Sequence, residues 1–443
     1  MLKKKHEDAD LFRPYLPDIL NLKHPLCLLA ASVAWEDFDA EFGILYCEDF
    51  GRPAKSVRLM VGLHYLKYLK NLSDEDVVSG WLENPYWQYF CGEEYFQTSF
   101  PIHPTSMTKW RNRLGDKQLD KLLEATIKSG LKTKTITPSS LEHVNVDTTV
   151  QEKNIAYPTD IQLYYRLICY LVKLAKEYGI KLRQTFVRVG KTLVRQHFGY
   201  VHARQMNRAG KVRKSLKTKL GKIFREIKRK CPAELVISES FHELSGLVER
   251  AMAQTKTSKN KLYSVHEPHV ECISKGKAHK RYEFGCKVGF ACTSKEGFML
   301  AALDFHGNPY DGHTLEQTLN MAERLTGFIG SIKHVYVDLG YRKHNYTGEA
   351  EINIVGRSRK NLTRNQKKWY NRRSAIEPDI GHMKSDHRLD CNYLKGDRGD
   401  KLNAVFSACG YNLKSIYRHI VSIFLSLFTR YRFLLRFVEI YTA

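Results

Sequence analysis

Tyr370, Arg373, Glu377 and Lys384 stand at offsets 0, 3, 7 and 14 in the run Tyr370-Asn-Arg-Arg373-Ser-Ala-Ile-Glu377-Pro-Asp-Ile-Gly-His-Met-Lys384. At about 100° per residue on a helix, these offsets point to roughly 0°, 300°, 340° and 320°, within an arc of about 60°. A carboxylate on such a face can hold a divalent cation, while the guanidinium, the ammonium and the phenol grip phosphate oxygens. The set therefore suits phosphodiester chemistry. An ordinary surface helix with i,i+4 ion pairs carries the same pattern. Pro378 follows Glu377 directly and disfavours α geometry there, which allows two helices meeting at the site in place of one.

Two further carboxylates bear on the choice. Asp147 lies in His143-Val-Asn-Val-Asp-Thr-Thr-Val150, where Val144, Val146, Thr148 and Val150 alternate with polar residues, as in a strand with one wet face carrying Asp147. Asp338 closes His334-Val-Tyr-Val-Asp338, a short apolar strand running into Leu-Gly-Tyr341. Each taken singly also fits a surface aspartate at a strand end.

Together, Asp147, Asp338 and Glu377 with the Tyr370, Arg373, Glu377, Lys384 spacing resemble the DDE transposases of bacterial insertion sequences. Asp147-Thr-Thr, Tyr157-Pro-Thr-Asp160, Ser274-Lys-Gly-Lys277 with Tyr282-Glu-Phe-Gly285, Gly396-Asp-Arg-Gly-Asp400 and Gly410-Tyr-Asn412 look like the insertion-sequence-five group, over most of residues 50–418. The resemblance implies an α/β catalytic domain with a ribonuclease-H-like mixed sheet, in which the first and fourth strands bring Asp147 beside Asp338. The helix of Glu377 would close the site. It also implies two Mg²⁺ (or Mn²⁺) ions held by Asp147, Asp338 and Glu377, with Arg373 and Lys384 neutralising phosphate charge and Tyr370 positioning the strand. One departure is placement: residues 338–377 are short, and the bulk of the insertion follows Asp147.

Composition agrees with a polyanionic partner. The chain has 443 residues, with 71 Lys+Arg against 47 Asp+Glu, a formal charge of +24. Double-stranded DNA is the expected partner, both as terminal inverted repeats and as target, bound by a homodimer. No run reaches the roughly 18–20 apolar residues of a membrane span, no signal h-region is visible, and no P-loop or dinucleotide fingerprint indicates nucleotide binding. A cytoplasmic, nucleoid-associated protein is expected. Ten cysteines without a C-x-x-C pair predict free thiols, and His266-Glu-Pro-His269-Val-Glu-Cys272 fits no zinc spacing.

The elements that must position these residues read as follows. Residues 1–130 are predicted to form a helical DNA-binding domain, with helices beginning near Pro53, a capping box at Ser73-Asp-Glu-Asp76 and a short basic helix after His103-Pro-Thr-Ser106. Helix, turn and basic helix suggest a helix-turn-helix reader presenting Thr105, Lys109, Arg111 and Arg113; a plain helical support layer is the alternative. Residues 140–418 form the catalytic domain, interrupted at about 159–255 by a basic helical insertion and resuming with a hairpin of strands 282–291 and 298–305 that turns at Lys295-Glu-Gly297, then a helix opened by Thr314 and running to Leu325. Residues 181–230 hold seventeen Lys and Arg against the single acid Glu226, which is +16 of the total. Val212, Leu216, Leu220, Ile223 and Ile227 recur there at helical spacing, so one face should pack while Arg204, Arg208, Lys211, Arg213, Lys214 and Lys217 line a phosphate rail, unless that face is merely solvated. Residues 419–443 are expected to be a separate amphipathic helix. The function expected is strand cleavage at element ends and strand transfer. A regulator with an inert catalytic fold and a nuclease that only hydrolyses are the rivals.

Overall fold

The computed structural model describes residues 13–46, 54–232, 235, 238–255, 257–259, 261–274, 280–356 and 362–441, with side chains described to residue 426. Pro53 and residues 275–277 of the quoted motif lie outside them. The chain divides into two compact units: Met1–Glu152, Cys286–Leu394 and Arg398–Ala443 in the first, Lys153–Gly285 and Lys395–Asp397 in the second.

The first unit begins with helices α1 (Leu16–Ile19), α2 (Pro25–Ser32), α3 (Glu36–Gly43), α4 (Val57–Leu69), α5 (Asp74–Glu83), α6 (Pro85–Phe90), α7 (Thr105–Arg111) and α8 (Asp116–Lys132). The Ser73 capping box is formed, with the Ser73 hydroxyl accepting from Asp76 N and the Asp76 carboxylate accepting from Ser73 N. The sheet of this unit contains β1 (His143–Lys153), β3 (Glu283–Thr293), β4 (Met299–Phe305), β5 (His334–Val337), β6 (Glu351–Ile354) and β7 (Cys391–Asn392). Its order is β4-β3-β1-β5-β6, with β7 also on β1. β3 and β4 form the antiparallel hairpin expected from sequence, turning through Gly297 at φ +69°. Between β4 and β5 runs α13 (Asp311–Thr326), which begins one turn before Thr314, the residue expected to open it. The Thr314 hydroxyl instead donates back to Asp311 O inside the first turn.

After β6 come α14 (Arg364–Arg372), a 3-10 turn (Arg373–Ala375) and α15 (Ile376–Asp386). The run from Tyr370 to Lys384 is thus two helices, as Pro378 allowed. Pro378 sits in the first turn of α15, where its missing N–H would have had no partner in any case. The chain ends in α16 (Gly396–Tyr441), a single 46-residue helix, so the separate helix expected over 419–443 is a continuation of its predecessor.

The boundary expected between residues 130 and 140 is not a division in the packing. Residues of α2–α8, the sheet and α16 share one apolar core, in which Tyr65, Trp81, Phe290, Phe298 and Phe406 are fully buried. α4 and α16 cross so closely that a Cβ on Gly410 would lie 2.8 Å from the Tyr68 backbone, and the Tyr68 hydroxyl donates to Asn403 Oδ1 at 2.8 Å. Asn412 brackets Met299 of β4 through its amide, accepting from Met299 N and donating to Met299 O, each at 2.9 Å. The Gly410-Tyr-Asn412 signature is thus a packing device.

The second unit has its own core. α9 (Asp160–Glu177), α10 (Val187–His202), α11 (Met206–Lys230) and α12 (Glu239–Ala253) pack through Leu167, Ile168, Leu171, Leu216, Leu220, Ile223, Ile227 and Val248. The apolar spacing read in α11 is the face that packs here, with Val212 partly buried against it. β2 (Glu271–Ile273) pairs antiparallel with the first residues of β3.

Candidate active site

Register explains why two aspartates 191 positions apart in sequence meet. β1 and β5 are parallel neighbours, with His143 opposite His334, Val144 opposite Val335 and Asn145 opposite Tyr336. Continued by two residues, that register sets Asp147 opposite Asp338, at the carboxyl end of β5. Ends of parallel strands are where an α/β sheet exposes side chains to a ligand.

The third acid arrives on the helical segment, which is held down at several points. The Trp369 ring of α14 stacks on His143 at a centroid distance of 3.8 Å. Asn145 donates from its amide to Arg372 O at 2.9 Å and accepts from the Ser294 hydroxyl at 2.6 Å. Ile376 and Met383 bury the inner face of α15. These contacts place Arg373 over the strand ends. Its Nη2 donates to Asp147 Oδ2 at 3.0 Å and lies 3.6 Å from Asp338 Oδ2, while Nη1 donates to Glu377 Oε1 at 2.6 Å. One guanidinium thus gathers all three carboxylates. The side-chain exposures are 11% for Arg373, 17% for Asp147, 44% for Asp338 and 62% for Glu377, so the cluster is buried on the Arg373 side and open toward Glu377.

Backbone donors fix the two aspartates. Asp147 Oδ1 accepts from Thr148 N at 2.8 Å, and Asp338 Oδ1 accepts from Gly340 N at 2.9 Å, capping the 3-10 turn Leu339–Tyr341. A Cβ at Gly340 would stand 2.9 Å from that same Asp338 oxygen, so the close approach requires glycine.

The other expected residues are distributed unevenly. The Tyr370 hydroxyl is 3.4 Å from Asn353 Oδ1 on β6. Lys384 is half-buried on α15, seven residues and roughly 10 Å along the helix from Glu377. On α7, Thr105, Lys109 and the following Arg113 are exposed. Arg111 is a correction: it is 4% exposed and its guanidinium pairs with both oxygens of Asp74, Nη1 to Oδ1 at 2.9 Å and Nη2 to Oδ2 at 2.6 Å. Lys67 joins the same carboxylate at 2.7 Å. Arg111 is committed to the core and cannot face a groove. Nor do α5 and α7 form a tight helix-turn-helix, since α6 and an extended segment lie between them.

In the second unit, Arg204, Arg208, Lys211 and Lys214 are exposed on or beside α11, and Arg213 and Lys217 are half-buried. Arg213 lies 3.4 Å from Asp160.

Sequence reasoning missed a supporting layer. Thr148, next to Asp147, donates its hydroxyl to Asp311 Oδ1 at 2.9 Å, and Lys287 of β3 donates to the same oxygen at 2.9 Å. Tyr341 is fully buried. Burial, then the charges of Asp147, Asp311 and Asp338, push its phenol well above the ordinary value, so it stays protonated. A lysine set among the apolar residues of β3 was the available signal, since a buried ammonium demands a carboxylate.

The donor set consists of hard carboxylate oxygens gathered around one guanidinium, the ligand type that Mg²⁺ or Mn²⁺ takes. Among the described residues no helix is long and apolar enough to cross a membrane.

Two family models match the chain: "Transposase domain (DUF772)" over residues 15–113 and "Transposase DDE domain" over residues 254–413. Asp338 and Glu377 fall inside the second; Asp147 falls outside both. A curated relative, "Uncharacterized protein ORF8 in nfe locus" of Rhizobium meliloti, is 51% identical over 196 residues, covering 44% of this chain and 94% of that protein. No solved structure matches the chain. With two transposase domains along its length and its acids gathered beyond adjacent strands, the chain belongs to the DDE transposases of insertion-sequence type, enzymes that act on DNA.

Proposed function

We propose that this transposase cuts DNA strands at the ends of its element and joins them to target DNA, using Asp147, Asp338 and Glu377 as the metal-holding acids of a ribonuclease-H-like sheet of the insertion-sequence-five group. The observation that carries the proposal is the convergence of those three carboxylates on Arg373. The strand order β4-β3-β1-β5-β6, with a hairpin preceding β5, supports the fold assignment.

The residues divide the work. Thr148 N and Gly340 N hold one oxygen of each aspartate, leaving the other beside Arg373. Two divalent ions bound by the three acids would lower the pKa of an attacking water and offset charge on the scissile phosphate. Arg373 and Lys384 supply positive charge for non-bridging oxygens, and Tyr370 lines the approach from β6. Thr105, Lys109 and Arg113 face base edges or backbone, while Arg204, Arg208, Lys211, Lys214 and Lys217 follow phosphates without reading sequence. Two copies of the chain acting on a pair of ends complete the proposal.

Because the carboxylates act through the metal, Asp147→Asn, Asp338→Asn and Glu377→Gln each abolish strand cleavage in Mg²⁺ and, measured without divalent metal, leave binding to end DNA near wild type. Cleavage that survives any one of them removes that residue from the site. Hydrolysis of ends without joining in the wild type would reduce the enzyme to a nuclease.

A further inference from the structure

Arg373 occupies the oxygens that the proposed metal ions would need. Its two terminal nitrogens contact Asp147 Oδ2, Asp338 Oδ2 and Glu377 Oε1, one oxygen from each acid. A divalent cation binding those oxygens at about 2.1 Å would come within about 5 Å of the guanidinium, with unfavourable charge and competition for the same lone pairs. Guanidinium and metal are therefore alternative occupants of one pocket of negative charge.

A second observation indicates what could take Arg373 away. Its Nε is buried and has no hydrogen-bond partner, although the side chain is only 11% exposed. A buried, unmet donor on a charged group is costly, and a phosphate satisfies it, since the Nε and Nη edge of arginine matches two phosphate oxygens. The residue begins the short 3-10 turn between α14 and α15, so its side chain is not locked inside a continuous helix.

We propose that Arg373 is a resident counter-ion that closes the acidic site to divalent metal until a DNA phosphate draws the guanidinium off, so that metal and DNA bind with positive coupling. This rests on the reading of Asp147, Asp338 and Glu377 as metal ligands. The consequence is order: with DNA absent the enzyme stays unloaded at ordinary metal levels, and loading follows the substrate. Linkage requires that the metal strengthen DNA binding by the same factor.

The test is Mn²⁺ titration of the full-length protein, followed by electron paramagnetic resonance or calorimetry. Without DNA, Arg373→Gln is expected to bind Mn²⁺ at least tenfold more tightly than wild type, and Asp147→Asn to bind it more weakly than either. Equal or weaker binding in a folded Arg373→Gln overturns the proposal. Should that variant not fold by circular dichroism, wild type decides: a short duplex of unrelated sequence should tighten its Mn²⁺ binding at least tenfold over the DNA-free protein, a gain that Asp147→Asn does not show, and no tightening overturns the proposal. If Arg373→Gln matches wild type while Asp147→Asn loses Mn²⁺, the counter-ion idea fails and the metal site stands. If Asp147→Asn binds Mn²⁺ like wild type, the metal reading fails and takes the counter-ion with it.

Discussion

His64 shows how residue-level chemistry sets a pH limit far in sequence from the acids. Its ring is fully buried, its Nδ1 is 2.7 Å from Met60 O and its Nε2 is 3.3 Å from Arg111 Nη1. Arg111 can only donate, so Nε2 must be bare and Nδ1 carries the proton. Burial first, and the Arg111 charge second, hold its pKa down at about 3 against an ordinary 6.5. The unfolded chain therefore takes up the proton before the folded one, so stability falls as pH drops from about 6.5 toward 3. Urea unfolding at pH 7 and pH 5 should differ by about 2 kcal/mol on this account, and His64→Gln should remove most of that difference. A wild-type curve flat across this interval would show the imidazole is not held neutral. At this scale the sequence was legible where side-chain type alone carries the chemistry. Asp147 and Asp338 could be placed on strands because alternation and an apolar run mark them, Glu377 joined them through the family resemblance, and the structure brings all three beside Arg373. Arg373 was read as a phosphate ligand, since its contacts with Asp147 and Asp338 depend on strand register. Lys287 and Asp311, joined across 24 positions, were not read at all.

Elements were legible when their signals were local. The Ser73 capping box, the β3–β4 hairpin through Gly297 and the break near Pro378 all follow from a few neighbouring residues. What failed depended on distant packing. α7 reads as a basic helix, yet it buries Met107, Trp110 and Arg111 and leaves Lys109 and Arg113 outside. Arg111 is basic for the sake of Asp74, which Lys67 also contacts; burial opposes ionisation of that carboxylate, but the two cations prevail and hold its pKa low. Arg111→Ala would leave the largely buried Asp74 carboxylate with Lys67 alone and strip the His64 ring of its donor, costing about 3 kcal/mol of stability in urea unfolding. Lys109→Ala with Arg113→Ala should leave stability within about 0.5 kcal/mol, as exposed substitutions do. A stable Arg111→Ala would return that residue to the surface and to the list of DNA contacts. The domain boundary was missed for the same reason: nothing local reports that Tyr68 of α4 touches Asn403 and Gly410 of α16.

For the whole molecule, charge is the property that sequence reports most directly, because it needs no geometry. Residues 181–230 carry +16 of the +24, and the second unit turns the apolar side of α11 inward while Lys211 and Lys214 stay exposed. Such a surface gains affinity by releasing counterions from DNA, a contribution that ignores base sequence and weakens with salt. Replacing Arg204, Arg208, Lys211 and Lys214 together should flatten the dependence of log K on log salt by up to about 0.9 for each lost phosphate contact. It should also weaken end DNA and scrambled DNA in equal proportion. Lys109→Ala with Arg113→Ala should differ in kind, lowering affinity for the element's own ends more than for scrambled duplex, because only base contacts separate the two. A competition between specific and scrambled duplexes at one salt concentration compares both variants. Equal proportional losses on both DNAs for the α7 variant would move sequence reading to another surface, and an unchanged salt slope for the α11 variant would leave its charge facing only solvent.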